Sequence, residues 1–159
     1  MAISDRGLQR ARPNEFAMAE NSPRLSSPRL TRPPIAWVFH PEESAGPILH
    51  VFLPHRGAVQ QLTDSFQRVG DLGLDIDLAR QPGIEFVSVS GVTLSRSDVE
   101  LPKKLVIDPS CRVSWSCTRA EWFTNAWMLE PFRRGEKGHQ YLTAETDDAV
   151  VVVSFGEDP

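Results

Sequence analysis

Residues 58–78 read AVQQLTDSFQRVGDLGLDIDL, and two periodicities meet within this stretch. Apolar side chains first recur at helical spacing, which predicts a helix with one buried face and Gly70 as its C-terminal cap. The apolar positions are Val59, Leu62, Phe66 and Val69. Over 72–78 every second residue is then Leu or Ile and the others are Gly or Asp. This alternation predicts a strand with one buried and one acidic face.

Most of the remaining sequence from residue 35 onward shows strand patterns separated by turn residues. The predicted strands are 35–39, 48–53, one or more within 84–94, 103–107, 111–118, 140–146 and 149–155. Thr118 and Glu121 match a capping box, and aromatic residues at helical spacing follow, so a second helix is predicted there. The fold class is therefore α+β, with a mostly antiparallel sheet of about seven or eight strands and two helices packed on one face.

The first 34 residues differ in composition from the rest. They hold five of the 13 prolines and six arginines against three acidic residues, for a net charge of +3. The other 125 residues carry 11 basic and 18 acidic side chains, for a net charge of −7. We expect residues 1–34 to be a flexible Pro/Arg-rich arm and residues 35–159 to be a single globular α+β domain.

Composition limits the kinds of partner and compartment. An acidic body repels phosphate backbones, so nucleic acid is not expected as a partner except through the basic arm. No apolar run approaches the length that spans a bilayer, and the first residues lack the apolar core of a secretory signal. The two cysteines, Cys111 and Cys117, fall on one face of a predicted strand, too far apart for a disulfide. A cytoplasmic protein without a membrane partner is therefore expected.

Common catalytic signatures are absent from the sequence, which contains no GxSxG, Walker A, GxGxxG, HExxH or CxxC pattern. We therefore expect a small acidic protein that binds another protein, as an inhibitor, adaptor or immunity-type partner, with no catalytic residues and no cofactor. That partner can be basic, because charge complementarity guides association. The candidate partner-binding residues are Asp71, Asp75 and Asp77 on the predicted acidic strand face and Arg133, Arg134 and Lys137 on a glycine-bearing loop.

Two alternative functions remain open at this stage. His40, His50 and His55 could converge on zinc with one position left for water, and Glu43 could act as the base of a metal-assisted hydrolase. Their spacing matches no known ligand signature, however, and each histidine lies beside a turn or within an apolar strand, where ordinary packing explains it better. The second alternative is a module for a small apolar ligand, lined by Trp115, Trp122 and Trp127, although such tryptophans more often form the core.

Deletion of residues 1–34 tests the predicted boundary of the domain. The melting temperature should stay within a few degrees of that of the full chain, because residues outside a core contribute little to stability. Thermal unfolding of both chains measures this. A loss of more than about 2 kcal/mol in the free energy of unfolding would mean that the arm packs on the domain.

Overall fold

Nine strands in two mixed sheets form the framework of the computed structural model, which describes residues 33–41, 47–100, 104–142, 149–157 and 159. These residues all belong to one compact unit that runs from Thr31 to Pro159. The predicted arm, apart from Pro33 and Pro34, lies outside the described residues.

The five-stranded sheet has the order β4-β1-β2-β9-β8. Its strands are β1 (Ile35–His40), β2 (Ile48–Leu53), β4 (Ile84–Val87), β8 (Gly138–Tyr141) and β9 (Val150–Phe155). Two neighbouring pairs, β1 with β2 and β8 with β9, are antiparallel. The other two pairs, β1 with β4 and β2 with β9, are parallel, so β9 lies inside the sheet as its apolar run on both faces predicts.

The four-stranded sheet has the order β3-β5-β7-β6. Its strands are β3 (Ile76–Asp77), β5 (Gly91–Ser97), β6 (Leu105–Ile107) and β7 (Arg112–Thr118). The central pair, β5 with β7, is parallel and both edge pairs are antiparallel. A single 3-10 turn, Leu78–Arg80, connects β3 to β4, so the chain passes directly from an edge of one sheet to an edge of the other.

Among the described residues, three helices complete the fold: α1 (Arg56–Leu72), α2 (Arg119–Met128) and the short α3 (Glu130–Arg134). The apolar stripe predicted for α1 is buried throughout. Helix α2 begins with the predicted capping box, in which Thr118 and Glu121 exchange side-chain and backbone hydrogen bonds. No helix in the described part of the chain is both long and apolar enough to cross a membrane.

Two predictions about the fold are wrong in detail. The predicted sheet of about seven or eight mostly antiparallel strands is instead two mixed sheets, with nine strands among the described residues. Four strand pairs are antiparallel, and the other three are parallel and join segments that a local pattern cannot connect. The strand predicted over 72–78 is also wrong. Helix α1 continues to Leu72 and is capped by Gly73 in a left-handed conformation (φ 63°), and only Ile76 and Asp77 form a strand. Leu72 and Leu74 are consequently exposed rather than buried.

Gly70, the predicted cap, serves a different purpose within α1. It is buried at the crossing of α1 and α2, where an added Cβ would lie 3.2 Å from Trp122 Cβ. The residue therefore lets the two helices approach closely. The helix does not end at Gly70, because its backbone stays helical for two more residues.

The core is one continuous cluster of buried apolar side chains that connects both sheets to the helices. Phe66 of α1, Trp115 of β7 and Trp122 of α2 contact one another, with ring centroids 5.0 to 5.3 Å apart. Trp122 also donates its indole N–H to the carbonyl oxygen of Ser95 at 2.9 Å, which ties α2 to β5. Aromatic rings at these separations contribute favourable edge and offset contacts in addition to burial.

Replacement of Thr118 by Ala tests the capping box that starts α2. It should lower the free energy of unfolding by about 1 kcal/mol, because the N–H of Glu121 loses its acceptor. Thr124→Ala, which lies in the same helix and is exposed, is the matched control and should change stability by less than about 0.5 kcal/mol. Denaturant unfolding measures both, and equal losses in the two variants would contradict the capping role.

Candidate functional site

Three of the four histidines meet on the outer face of the five-stranded sheet. They surround a shallow depression of about 300 Å³ whose other walls come from β2, β8, β9 and the residues after β9. We call this surface the histidine face. Its members are His40, Ile48, His50, His139, Tyr141, Val152, Ser154 and Glu157.

Strand register brings these side chains together. In the antiparallel pair of β1 and β2, His40 lies opposite Ile48. In the parallel pair of β2 and β9, His50 lies beside Val152. In the hairpin of β8 and β9, His139 lies opposite Ser154. Because side chains alternate between the faces of a strand, these residues all point away from the helices.

His50 lies at the centre of the histidine face. Its Nε2 lies 2.7 Å from the Ser154 hydroxyl oxygen, so the two side chains share a hydrogen bond. Its ring stacks on Phe52 with the centroids 4.0 Å apart, and the His40 ring lies 6.5 Å away. His139 packs edge-on against Tyr141, with the ring centroids at 5.5 Å. The face therefore carries two groups of neighbouring rings, one of His40, His50 and Phe52 and one of His139 and Tyr141.

The environment of His50 disfavours its protonated form. Burial removes the ring from water and lowers its pKa, the neighbouring His40 lowers it further, and His139 adds a smaller effect in the same direction. The carboxylate of Glu157 acts against these effects without cancelling them. His50 is therefore held neutral over a wider range of pH than an exposed histidine.

The histidine trio predicted for zinc does not converge. His55 is the N-cap of α1, where its Nδ1 accepts a hydrogen bond from the N–H of Ala58 at 3.0 Å. His139, which the spacing of the other histidines did not suggest, joins His40 and His50 in its place. Within the described ranges no group of three or more His, Cys, Asp or Glu side chains is placed to hold a metal ion. Glu43, the predicted base, lies outside those ranges.

The contact between His50 and Ser154 resembles a nucleophile and its base, but the position of the serine argues against that use. Ser154 borders the depression but is only 1% exposed, so little of its side chain is open to a substrate. A nucleophile must approach the reacting atom closely, so burial disfavours that role, and the hydrogen bond orients the His50 ring.

The cysteines differ in setting. Cys117 is buried in β7 as predicted, but Cys111 precedes the strand in a turn and is exposed. The left-handed backbone of Cys111 (φ 58°) explains why the predicted alternation fails at this residue. Neither thiol is part of a disulfide.

The three predicted partner-binding aspartates lie on different elements and do not share a strand face. Asp71 belongs to the last turn of α1 and forms an ion pair with Arg119 at 3.2 Å. Asp75 lies in the following loop, and Asp77 lies in β3, where it pairs with Arg112 at 2.8 Å. Two of the three charges are therefore balanced within the chain.

The predicted basic loop is partly helical. Arg133 and Arg134 end α3, where they pair with Glu130 at 2.8 Å and with Glu136 at 3.0 Å. Lys137 follows and lays its aliphatic chain against Gly156. The charges of Arg133 and Arg134 are exposed and locally paired, and such surface pairs contribute little to stability. Their role in binding stays a prediction.

The three tryptophans predicted for an apolar ligand do not line one pocket. Trp115 and Trp122 are completely buried in the core, where they contact each other. Trp127, on the opposite side of α2, is 74% exposed. Five positions separate Trp122 from Trp127, which is about 140° around an α-helix, so the two side chains point in different directions.

Comparison with known proteins adds no assignment: no protein-family model, curated protein or solved structure matches the chain. The candidate function therefore depends on the side chains of the described surfaces and on their geometry.

Replacement of His50 by Gln tests its protonation. The unfolded chain takes up this proton near pH 6.5, whereas folded His50 resists it. The contribution of this residue to stability is therefore complete above that pH and is lost as the pH falls toward the lower pKa of the folded state. The fall in melting temperature between pH ~7.5 and ~5.5 should be smaller for His50→Gln than for the wild type. Equal falls would show that His50 titrates alike in both states.

Proposed function

We propose that this chain is a small acidic protein that binds another protein through its histidine face and carries out no catalysis. The supporting observation is that the five-stranded sheet uses only one face for the core. On that face Leu49, Val51 and Leu53 are completely buried in the cluster that includes the helices. On the other face, Ile48 and His50 are half-buried and border the depression, together with the largely buried Val152 and Ser154.

The side chains of the histidine face suit a protein partner. Aromatic rings that keep one polar atom, as in Tyr141, give a large contact area together with a hydrogen bond, and such residues are enriched at interfaces. Tyr141 is 56% exposed, and its ring is held by the His139 ring beside it. A surface already ordered by its own contacts loses less conformational entropy when a partner binds.

Charge favours a basic partner. The strand ends at one border of the histidine face are adjacent, because the N–H of Val150 donates to the carbonyl oxygen of Pro47 at 2.9 Å. Residues 42–46 connect β1 to β2 in the sequence, and residues 143–148 connect β8 to β9. Together they contain five carboxylates and no basic side chain. Together with the net charge of −7 over residues 35–159, this distribution attracts positively charged surfaces. Salt should therefore slow association with the partner more than it changes dissociation.

An inhibitor, adaptor or immunity-type role agrees with these features better than hydrolysis does. A hydrolase would need an accessible nucleophile or a converged ligand set. The hydroxyl beside His50 is buried, and His55 is engaged as a helix cap. The absence of a disulfide between Cys111 and Cys117 is consistent with the cytoplasm as the place of action.

A charge-matched pair of variants tests the surface. Partners are captured from cells that produce the protein, purified and titrated singly against each variant. His40→Lys adds a positive charge to the histidine face and should weaken binding about tenfold or more. Gln67→Lys adds the same charge to the exposed side of α1 and should leave the affinity within about twofold.

Two results would contradict the proposal. One is a purified partner that binds wild type and His40→Lys with equal affinity. The other is a partner whose binding is weakened as much by Gln67→Lys, because that would mean that only net charge matters. Both variants should keep the melting temperature of the wild type within a few degrees, which thermal unfolding checks.

A further inference from the structure

The two sheets leave a cleft between them on the side away from the 3-10 turn. There the free edges of the sheets are β8 and β6. The cleft has a volume of about 260 Å³ and is lined by residues of both sides, including Lys104, Cys117, Glu121, Asn125, Tyr141 and Leu142. Strand β8 therefore borders the cleft with a side that no described strand covers.

The backbone of β8 offers hydrogen-bonding groups along this open side. In the hairpin of β8 and β9, the N–H of Leu142 donates to the carbonyl oxygen of Val151 at 2.9 Å, so this pair is hydrogen-bonded. Hydrogen-bonded pairs alternate along an antiparallel ladder, so Gln140 also faces β9. The N–H and C=O groups of His139 and Tyr141 therefore point outward, toward the open side.

Edge strands are usually protected against such pairing by a lysine, a proline, a bulge or a covering segment. Strand β8 reads Gly138-His139-Gln140-Tyr141 and contains neither lysine nor proline. No strand of the described residues pairs with this side of β8, so its outward backbone groups have no strand partner among those residues.

The cleft beside this edge contains one ion pair, whose carboxylate is the more exposed partner. Lys104 and Glu121 form an ion pair with Nζ and Oε1 2.6 Å apart, but the lysine side chain is 9% exposed and the carboxylate 29%. The other carboxylate oxygen, Oε2, accepts hydrogen bonds from the N–H and hydroxyl of Thr118 at 2.7 and 2.9 Å. The carboxylate is therefore the charged group that solvent or a ligand in the cleft meets first.

The same contacts keep Glu121 ionised. Burial alone would raise the pKa of its carboxyl, but the hydrogen bonds from Lys104 and Thr118 outweigh burial and hold the pKa below its ordinary value. The cleft also offers the thioether of Met128 and the amide of Asn125. This lining suits a side chain with an apolar stem and a positively charged end.

We propose that β8 binds an extended, basic segment of a partner protein as an added strand, with a Lys or Arg side chain of that segment in the cleft. The inference depends on the proposed protein-binding function and names the way in which the partner attaches. Backbone hydrogen bonds to His139 and Tyr141 supply affinity, and the cleft supplies selectivity.

The probe for this proposal is a phage-displayed library of random linear peptides, selected on the full chain. Selected peptides should be rich in strand-forming residues and carry a Lys or Arg at a constant position. Each is then synthesised and titrated against Tyr141→Pro and Tyr141→Val. Both variants lose the phenol ring, but only Tyr141→Pro loses the outward N–H. Binding to Tyr141→Pro should be weaker than binding to Tyr141→Val by roughly tenfold.

Amide hydrogen exchange on the wild type gives a readout that does not depend on the variants. Bound peptide should slow exchange at His139 and Tyr141, whose N–H groups point outward, more than at Gln140, which already bonds to β9. This comparison keeps the proposal testable even if Tyr141→Pro fails to fold. The pair His139→Pro and His139→Val repeats the backbone test at the other outward position.

Three outcomes would overturn the inference. The first is a selection that enriches no peptide over a control surface. The second is peptides that bind Tyr141→Pro and Tyr141→Val equally but lose affinity for His40→Lys, which would leave protein binding through the histidine face intact and remove the added strand. The third is a dimer of the chain that Tyr141→Pro abolishes, which would make a second copy the occupant of the edge.

Discussion

The contact of Phe66, Trp115 and Trp122 joins helices α1 and α2 to the four-stranded sheet. These rings belong to α1, β7 and α2, and their centroids lie 5.0 to 5.3 Å from one another. Since α1 directly follows a strand of the five-stranded sheet and β7 belongs to the other sheet, this contact joins both sheets through the helices. Close-packed cores tolerate little displacement, so this contact helps to fix the two sheets, and the cleft between them, relative to each other.

The sequence predicts the elements that depend on local chemistry. The apolar stripe of α1 and the capping box of Thr118 and Glu121 are confirmed, because each depends on residues within a few positions of one another. The stretch 72–78 misleads for a physical reason. Alternating Leu and Asp suit a strand, but the left-handed conformation of Gly73 ends α1 three residues later than Gly70 would. Leu72 and Leu74 are therefore exposed, although the alternating pattern predicts that they are buried.

Only part of the histidine face could be predicted. His40 directly follows the predicted strand 35–39 and His50 lies in the predicted strand 48–53, so their proximity follows from a hairpin. His139 and Ser154 lie on β8 and β9, about a hundred residues further along the chain. They reach the face because β9 pairs in parallel with β2, and no local sequence pattern predicts that pairing. His55 lies close in sequence, but its position at the start of α1 commits its ring to capping. A single sequence shows which residues alternate, not which distant strands become neighbours.

The inner position of β9 affects how the chain folds during its synthesis. This strand follows every other described strand in the chain, yet it lies between β2 and β8 in the five-stranded sheet. While the nascent chain leaves the ribosome, β2 has its partner β1 on one side and an unpaired backbone on the other until β9 emerges. Long-range parallel pairing of this kind folds slowly and leaves apolar strands open to aggregation. We therefore expect a chaperone to bind the nascent chain after β2 has emerged from the ribosome and before β9 does.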